Sequence, residues 1–262
     1  MSAPSDDARA ASSTDAAASG TVAVVTGASR GFGLAIAKAL IDAGDRVIGI
    51  ARDRATLERV AGERGERFEP VAADAAADST PARVIDAYRP GLLVLNAGAA
   101  PVMRSLQRQT WETFSENWNV DVRQAYGWCR EALLAPLEAG STVIAVSSLA
   151  SVAGSPLSGG YASAKTAVRF IASYAAAESE RAGLGVRFVS LLPNLTAATD
   201  LGAMAVAAYA RRTGVPVDEF QRLRGPDLAR EDVARAVLDL AGGKGGNGTA
   251  FSVKADGVAQ LD

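Results

Sequence analysis

The chain contains no histidine. That absence removes every Ser-His-Asp and Cys-His catalytic arrangement and every histidine-ligated metal site, so any acid or base must be Asp, Glu, Lys, Tyr or Cys. Cysteine is nearly absent too: Cys129 stands alone, which excludes intrachain disulfides and cysteine-based zinc sites and fits a cytoplasmic protein. Charge of one sign is also missing, since 27 Lys and Arg face 29 Asp and Glu for a net charge of −2. Such a chain has no field to attract nucleic acid or acidic membranes. No apolar run approaches the roughly 18 residues needed to span a bilayer. Met1 to Gly20, rich in Ala, Ser and Asp, has neither the apolar stretch of a signal peptide nor the arginine excess of a transit peptide, and is expected to be a disordered tail.

What is present is a chain of 262 residues, 48% apolar and 21% charged, enough to bury a large core. From Thr21 onward, short Val, Ile and Leu runs alternate with longer Ala-rich segments of helical period. This alternation predicts strands at Thr21–Thr26, Arg46–Ile50, Phe68–Ala72, Leu92–Asn96, Ser141–Ser147, Val186–Leu192 and Thr249–Val253. Helices are expected at Phe32–Ala43, Ala55–Gly62, Thr80–Tyr88, Trp111–Ala135, Tyr161–Gly183 and Arg230–Leu240. Runs such as LLVL and TVIAV are apolar without interruption, as in strands covered on both faces. The expected fold is therefore α/β, a doubly wound, Rossmann-like parallel sheet of about seven strands in a three-layer sandwich. No linker interrupts the pattern, so residues 21–262 are expected to form a single domain. The irregular stretch from Pro193 to Pro226 is broken by Gly214 and Pro216 and is placed to act as a lid, near 194–226.

The first strand runs into Thr26-Gly27-Ala28-Ser29-Arg30-Gly31-Phe32-Gly33. A glycine-rich turn opening a helix points backbone N–H groups at whatever lies above the strand end, which suits a phosphate. Gly27 allows a positive φ, Gly31 lets the chain approach a pyrophosphate, and Gly33 lets helix and strand pack closely. At the end of the second strand, Ala51 stands where an NAD-preferring site offers a carboxylate to the ribose hydroxyls. Arg52 follows and Arg30 projects from the turn, so two guanidinium groups are available for a 2′-phosphate and NADP(H) is the expected cofactor. Asp74 at the third strand end suits an adenine amino group, and Asn96-Ala97-Gly98 ends the fourth; either segment is equally readable as an ordinary turn.

Tyr161-Ala162-Ser163-Ala164-Lys165 places a phenol and an ammonium four residues apart on one helix face. The ammonium favours phenolate, so the Tyr161 pKa is expected to fall from about 10 toward neutrality and make it a general acid or base. Ser148, after the strand TVIAVS, lies at a carboxyl end facing the same crevice, where its hydroxyl can hold a substrate carbonyl.

Taken in order, TGASRGFG, LNAG, Ser148 and YASAK closely resemble the short-chain dehydrogenase/reductase family, over essentially all of Thr21 to the C-terminus. The resemblance implies NAD(P) binding and hydride transfer between a ketone or aldehyde and an alcohol, on a small-molecule substrate. It assigns Ser148 to orient the carbonyl, Tyr161 to exchange the proton, and Lys165 to lower the Tyr161 pKa and hold the nicotinamide ribose. It also suggests a homodimer or homotetramer built on the long helices that contain Trp118 and Tyr174.

Three departures from the family pattern stand out. Asp121 occupies the place of an Asn that supports a water-linked proton relay, and Asn119 lies about 200° around the helix from it. Pro193-Asn194 replaces Pro-Gly, with Asn the non-glycine residue best able to turn left-handed. Thr196 or Thr199 would then contact the nicotinamide carboxamide or a phosphate. Val253-Lys254-Ala255-Asp256-Gly257 replaces the usual C-terminal VDGG. The reading that follows is an NADP(H)-dependent carbonyl reductase or alcohol dehydrogenase. A nucleotide-binding regulator or sensor with little turnover is the alternative, and a purely structural protein is a third.

Overall fold

The computed structural model describes residues 20–261. The expected N-terminal tail thus lies, apart from Gly20, outside the described residues. In chain order the elements are β1 (Val22–Thr26), α1 (Gly31–Asp42), β2 (Arg46–Ala51), α2 (Arg54–Arg64), β3 (Phe68–Ala72), α3 (Ser79–Tyr88), β4 (Leu92–Leu95), α4 (Trp111–Asn117), α5 (Arg123–Leu134), β5 (Thr142–Val146), α6 (Ala150–Ala153), α7 (Gly159–Arg181), β6 (Arg187–Pro193), α8 (Asp200–Thr213), α9 (Val217–Arg224), α10 (Arg230–Ala241), β7 (Ala250–Lys254) and β8 (Gly257–Leu261). The strands form one sheet in the order β3-β2-β1-β4-β5-β6-β7-β8, parallel throughout except for the last pair. The order reverses between β1 and β4, and at such a switch point the carboxyl ends of the strands open a crevice.

Neighbouring residues on a strand face opposite layers, and the core follows that alternation. Val25, Val47, Val94 and Leu191 meet Ile36 and Leu40 of α1, Leu57 of α2, and Val233 and Val237 of α10. Val24, Ile48, Leu93 and Phe188 meet Val84 of α3, Trp128 and Cys129 of α5, and Ala175 of α7. Helices therefore cover both faces of the sheet. β4 and β5 are buried along their whole length, as their unbroken apolar runs require.

Three elements depart from expectation. Among the described residues the sheet has eight strands, because Lys254 pairs with Gly257 and the chain doubles back as the antiparallel strand β8. That edge strand is mostly exposed and carries little apolar signal. The single long helix expected over Trp111–Ala135 is divided by a π-helical turn at Trp118–Val122. The segment after β6 is ordered: Thr199 caps α8 by accepting the Gly202 N–H, Gly214 ends that helix at φ 75°, and Pro216 starts α9.

Candidate active site

A cleft of about 1000 Å3 runs along the carboxyl ends of the strands, from the β1–α1 turn to the α6–α7 loop and α8. At one end lies the glycine turn. Gly27 adopts φ 68° and Gly31 φ 57°, and the N–H groups of Gly27 and Ala28 are tied to the Ile50 carbonyl. Gly33 is forced: a Cβ there would stand 2.2 Å from the Gly27 carbonyl oxygen and 2.6 Å from Asn96 Nδ2. Gly31 faces open space, its nearest neighbour being Thr199 Cγ2 at 3.7 Å from where a Cβ would sit. Arg30, at the N-cap of α1, offers no side-chain acceptor to the first-turn N–H groups, so those donors are directed at the cleft. The turn is therefore a cradle that a side chain would fill, and its uncapped donors suit a phosphate-bearing group. Ser29 and Phe32 also line it.

The second strand end carries exposed Arg52, which pairs with no acid among the described residues, and Asp53, whose carboxylate accepts from the N–H and hydroxyl of Thr56 as the cap of α2. Those two hydrogen bonds hold the Asp53 carboxyl below its ordinary value. Arg30 meets Asp200 of α8 at 3.7 Å, both strongly exposed. Asp74 accepts the Ala76 N–H and still lines the cleft, so it is both a turn former and a wall residue.

Asn96 and Ala97 belong to a network invisible in the sequence. Thr26 Oγ1 donates to Gln124 Oε1 at 2.5 Å and accepts the N–H groups of Asn96 and Ala97, while Gln124 Nε2 donates to the Ala97 carbonyl. Asn96 Nδ2 donates in turn to the Thr26 carbonyl. Gly98 lies against Asp121, whose Oδ1 would stand 2.8 Å from a Cβ at that position. Nothing in the spacing of Thr26 and Gln124 announced this contact, since it depends on β1 and α5 meeting across β4.

Ser148, Tyr161 and Lys165 converge at the other end. The first turns of α7 are fixed by Gly160, which packs against the Phe114 carbonyl of α4 so closely that any side chain would collide with it. Buried Lys165 donates to the Val146 carbonyl at 3.0 Å, forms an ion pair with Asp121 Oδ1 at 3.0 Å, and sits 5.6 Å from the centre of the Tyr161 ring. Asp121 is 1% exposed, and its Oδ2 accepts the Ala99 N–H at 2.9 Å and the Asn117 amide at 3.4 Å. Asn119 points to solvent despite the π-helical turn. Burial opposes the Lys165 ammonium, but Asp121 and Tyr161 outweigh it and raise the amine above its ordinary value.

The expected fall in the Tyr161 pKa is reversed. Burial pushes the phenol above its ordinary value; Lys165 and a Ser148 hydrogen bond pull it down by less, and Asp121 and Tyr209 add to the rise.

After β6, Asn194 keeps a negative φ, with its N–H on the Val253 carbonyl and its Oδ1 accepting from Leu195 N–H, so the left-handed turn expected there does not form. The buried Thr196 hydroxyl donates to the Leu228 carbonyl at 2.7 Å, whereas Thr199 faces Gly31. Pro193, Leu195, Leu201, Met204 and Tyr209 line the cleft; Val206 is buried outside it. Among the described residues no cluster of acids and cysteine could hold a metal ion, and no helix is long and apolar enough to cross a membrane.

Residues 21–209 match the family model for short chain dehydrogenases. The chain is 28% identical over 180 residues to a 3-beta-hydroxysteroid dehydrogenase of Comamonas testosteroni, covering 67% of this chain and 70% of that protein. It is 29% identical over 162 residues to carbonyl reductase [NADPH] 2 of Sus scrofa, covering 61% and 66%. Among solved structures, a 3-ketoacyl-(acyl-carrier-protein) reductase from Brucella melitensis complexed with NADH superposes with a TM-score of 0.74 at 27% identity, covering 89% of this chain and 96% of that one. With the glycine turn, the Ser148-Tyr161-Lys165 cluster and a family match across most of its length, the chain belongs to the short-chain dehydrogenase/reductase family, oxidoreductases that use a nicotinamide cofactor on small molecules.

Proposed function

We propose that this protein is an NADP(H)-dependent oxidoreductase interconverting a ketone or aldehyde and an alcohol. The observation that carries the reading is that Ser148, Tyr161 and Lys165 meet at one end of a cleft whose other end is the glycine cradle. The glycine turn, with Arg30 and Arg52 beside it, would hold a nicotinamide dinucleotide, which would supply or accept the hydride. The Ser148 hydroxyl orients the carbonyl oxygen, and Tyr161 gives its proton to that oxygen in reduction or accepts it in oxidation. Lys165, held by the Val146 carbonyl and Asp121, supplies positive charge beside the Tyr161 ring. Because burial keeps Tyr161 protonated, reduction is the better served direction.

Arg52 and Arg30 support NADP(H). No carboxylate at position 51 repels a 2′-phosphate, and the Asp53 carboxylate is committed to capping α2. The names of the relatives point both ways, since the porcine reductase carries NADPH in its name and the Brucella structure contains NADH. The residues at the second strand end favour the former. Calorimetric titration should show NADPH binding more tightly than NADH, with Arg52→Asp erasing most of the difference; a wild-type preference for NADH would overturn the assignment. NADPH consumption with a panel of ketones separates an enzyme from a nucleotide-binding regulator, the second reading, which the Asp121 departure favours. A homodimer or homotetramer is supported by the outward faces of α5 and α7, where Tyr126, Phe170 and Tyr174 are exposed.

A further inference from the structure

Beyond Tyr161, the cleft holds a second group of hydroxyls. Tyr209 of α8 and Ser158, just before α7, both line it, and Ser155 joins them from behind. Ser155 Oγ and Ser158 Oγ are 2.7 Å apart, Ser155 Oγ is in close contact with the Tyr209 hydroxyl, and Ser158 Oγ stands 3.5 Å from Tyr209. Ser155 Oγ also accepts the Ser158 N–H at 2.9 Å and, at 3.4 Å, that of Leu157.

Three hydroxyls carry three protons, but only two short contacts join them. With one lone pair of Ser155 taken by the Ser158 N–H, and the 3.4 Å Leu157 contact too long to hold the other against a hydroxyl, its oxygen has room for one hydroxyl donor and must itself donate to the other neighbour. If Tyr209 donates to Ser155, then Ser155 donates to Ser158 and the Ser158 proton has no acceptor nearer than 3.5 Å. If Ser158 donates to Ser155, then Ser155 donates to Tyr209 and the Tyr209 proton is the one left over. A 3.5 Å contact is a poor hydrogen bond. Either way one O–H donor remains, on one of the two residues that line the cleft. The same segments that carry Ser158 and Tyr209 add Ala153, Pro156, Met204 and Ala205 to the lining of the cleft.

We propose that this cluster is a specificity determinant, donating one hydrogen bond to a neutral acceptor oxygen that the substrate carries away from its reacting carbon. The substrate class is then an apolar ketone with a second oxygen, such as a keto ester or diketone. The proposal rests on the carbonyl reductase reading. Tyr209 and Ser158 act here as specificity residues, with no part in the proton transfer.

The test compares kcat/KM for a keto ester and for the ketone of matched length in which a methylene replaces the ester carbonyl. One neutral hydrogen bond is worth about 1 kcal/mol, or roughly fivefold, and more when its loss leaves the donor buried and unpaired. The wild-type enzyme should therefore prefer the keto ester by about five- to tenfold, chiefly through KM. The double variant Tyr209→Phe/Ser158→Ala, which removes both cleft-lining hydroxyls, should bring the ratio close to one. Taking the ratio cancels any effect of Tyr209 on Tyr161, since both substrates use the same acid. A wild-type ratio near one overturns the proposal without any variant, as does a preference that survives in the double variant, and if neither compound is reduced the carbonyl reductase reading falls with it.

Discussion

Asp121→Asn changes one oxygen into an amide, yet the structure predicts a large effect. Asp121 is buried, and each oxygen has its own work: Oδ2 accepts the Ala99 and Asn117 N–H groups, and Oδ1 faces the Lys165 ammonium at 3.0 Å. An amide has only one oxygen. If it takes the Oδ2 place, the NH2 is driven against the ammonium; if it turns toward Lys165, the NH2 meets the two N–H donors. Removing one partner of a buried pair costs about 3–5 kcal/mol. At about 2–4 °C per kcal/mol for a chain near this size, the low end alone lowers Tm by roughly 6–12 °C. Activity moves for the same reason. Asp121 adds to the rise of the Tyr161 pKa, so removing its charge eases proton loss from the phenol. Oxidation, which uses the deprotonated phenol, should then shift its pH–kcat/KM profile toward acid, while reduction near neutral pH changes little. Losing Asp121 also removes the main support of the buried Lys165 ammonium, so the shift is read on the acid side of the profile, where Lys165 stays charged. Calorimetric melting and pH profiles in both directions make the test. A Tm within about 2 °C of wild type, together with superimposable oxidation profiles, would refute the reasoning.

Two further outcomes are expected. Tyr161→Phe removes the proposed proton donor while leaving the glycine cradle untouched, so kcat should fall by about 10²–10⁴ with NADPH affinity nearly unchanged by titration; near-normal turnover would move the acid elsewhere. Gly33→Ala would set a Cβ 2.2 Å from the Gly27 carbonyl, forcing α1 away from the turn, and should cost about 1–3 kcal/mol in melting experiments and weaken dinucleotide binding, whereas an unchanged melt and affinity would show that the turn yields freely.

The parallel core was legible because its signal is local and strong. Five consecutive buried residues in TVIAV have only one economical home, a central strand covered on both faces. β8 was missed for the opposite reason: GVAQL is exposed and short, and becomes a strand only because the turn after Lys254 returns it to β7. The division of the long helix at Trp118 was equally hidden. Nothing in WNVDV breaks a helix by propensity; the wider turn coincides with a buried carboxylate brought to Lys165 on another helix, a relation between residues 44 positions apart. The segment after β6 carried its own punctuation in Gly214 and Pro216, which mark the end of α8 and the start of α9.

At the site, residue spacing could show which groups share a face but not which effect wins between them. Tyr161 and Lys165 sit together, as a four-residue interval requires, and a two-body argument then lowers the phenol pKa. Two things outside the interval reverse the sign. Burial, the larger effect, disfavours the phenolate whatever its neighbour, and Asp121 offsets part of the positive charge that Lys165 was to provide. Both arise from packing, one from the closing of α7 over β5 and the other from the π-helical turn. Thr196 and Thr199 divide on the same principle. Both follow Pro193 closely, yet only the folded chain shows that the Leu228 carbonyl, 32 residues away, takes the Thr196 hydroxyl and leaves Thr199 beside the glycine turn. On the proposed reading Tyr161 must both give and take a proton, and burial sets the phenol on the giving side. A carbonyl reductase built this way should donate the Tyr161 proton at neutral pH, whereas alcohol oxidation should need alkaline pH or added positive charge to draw the proton off.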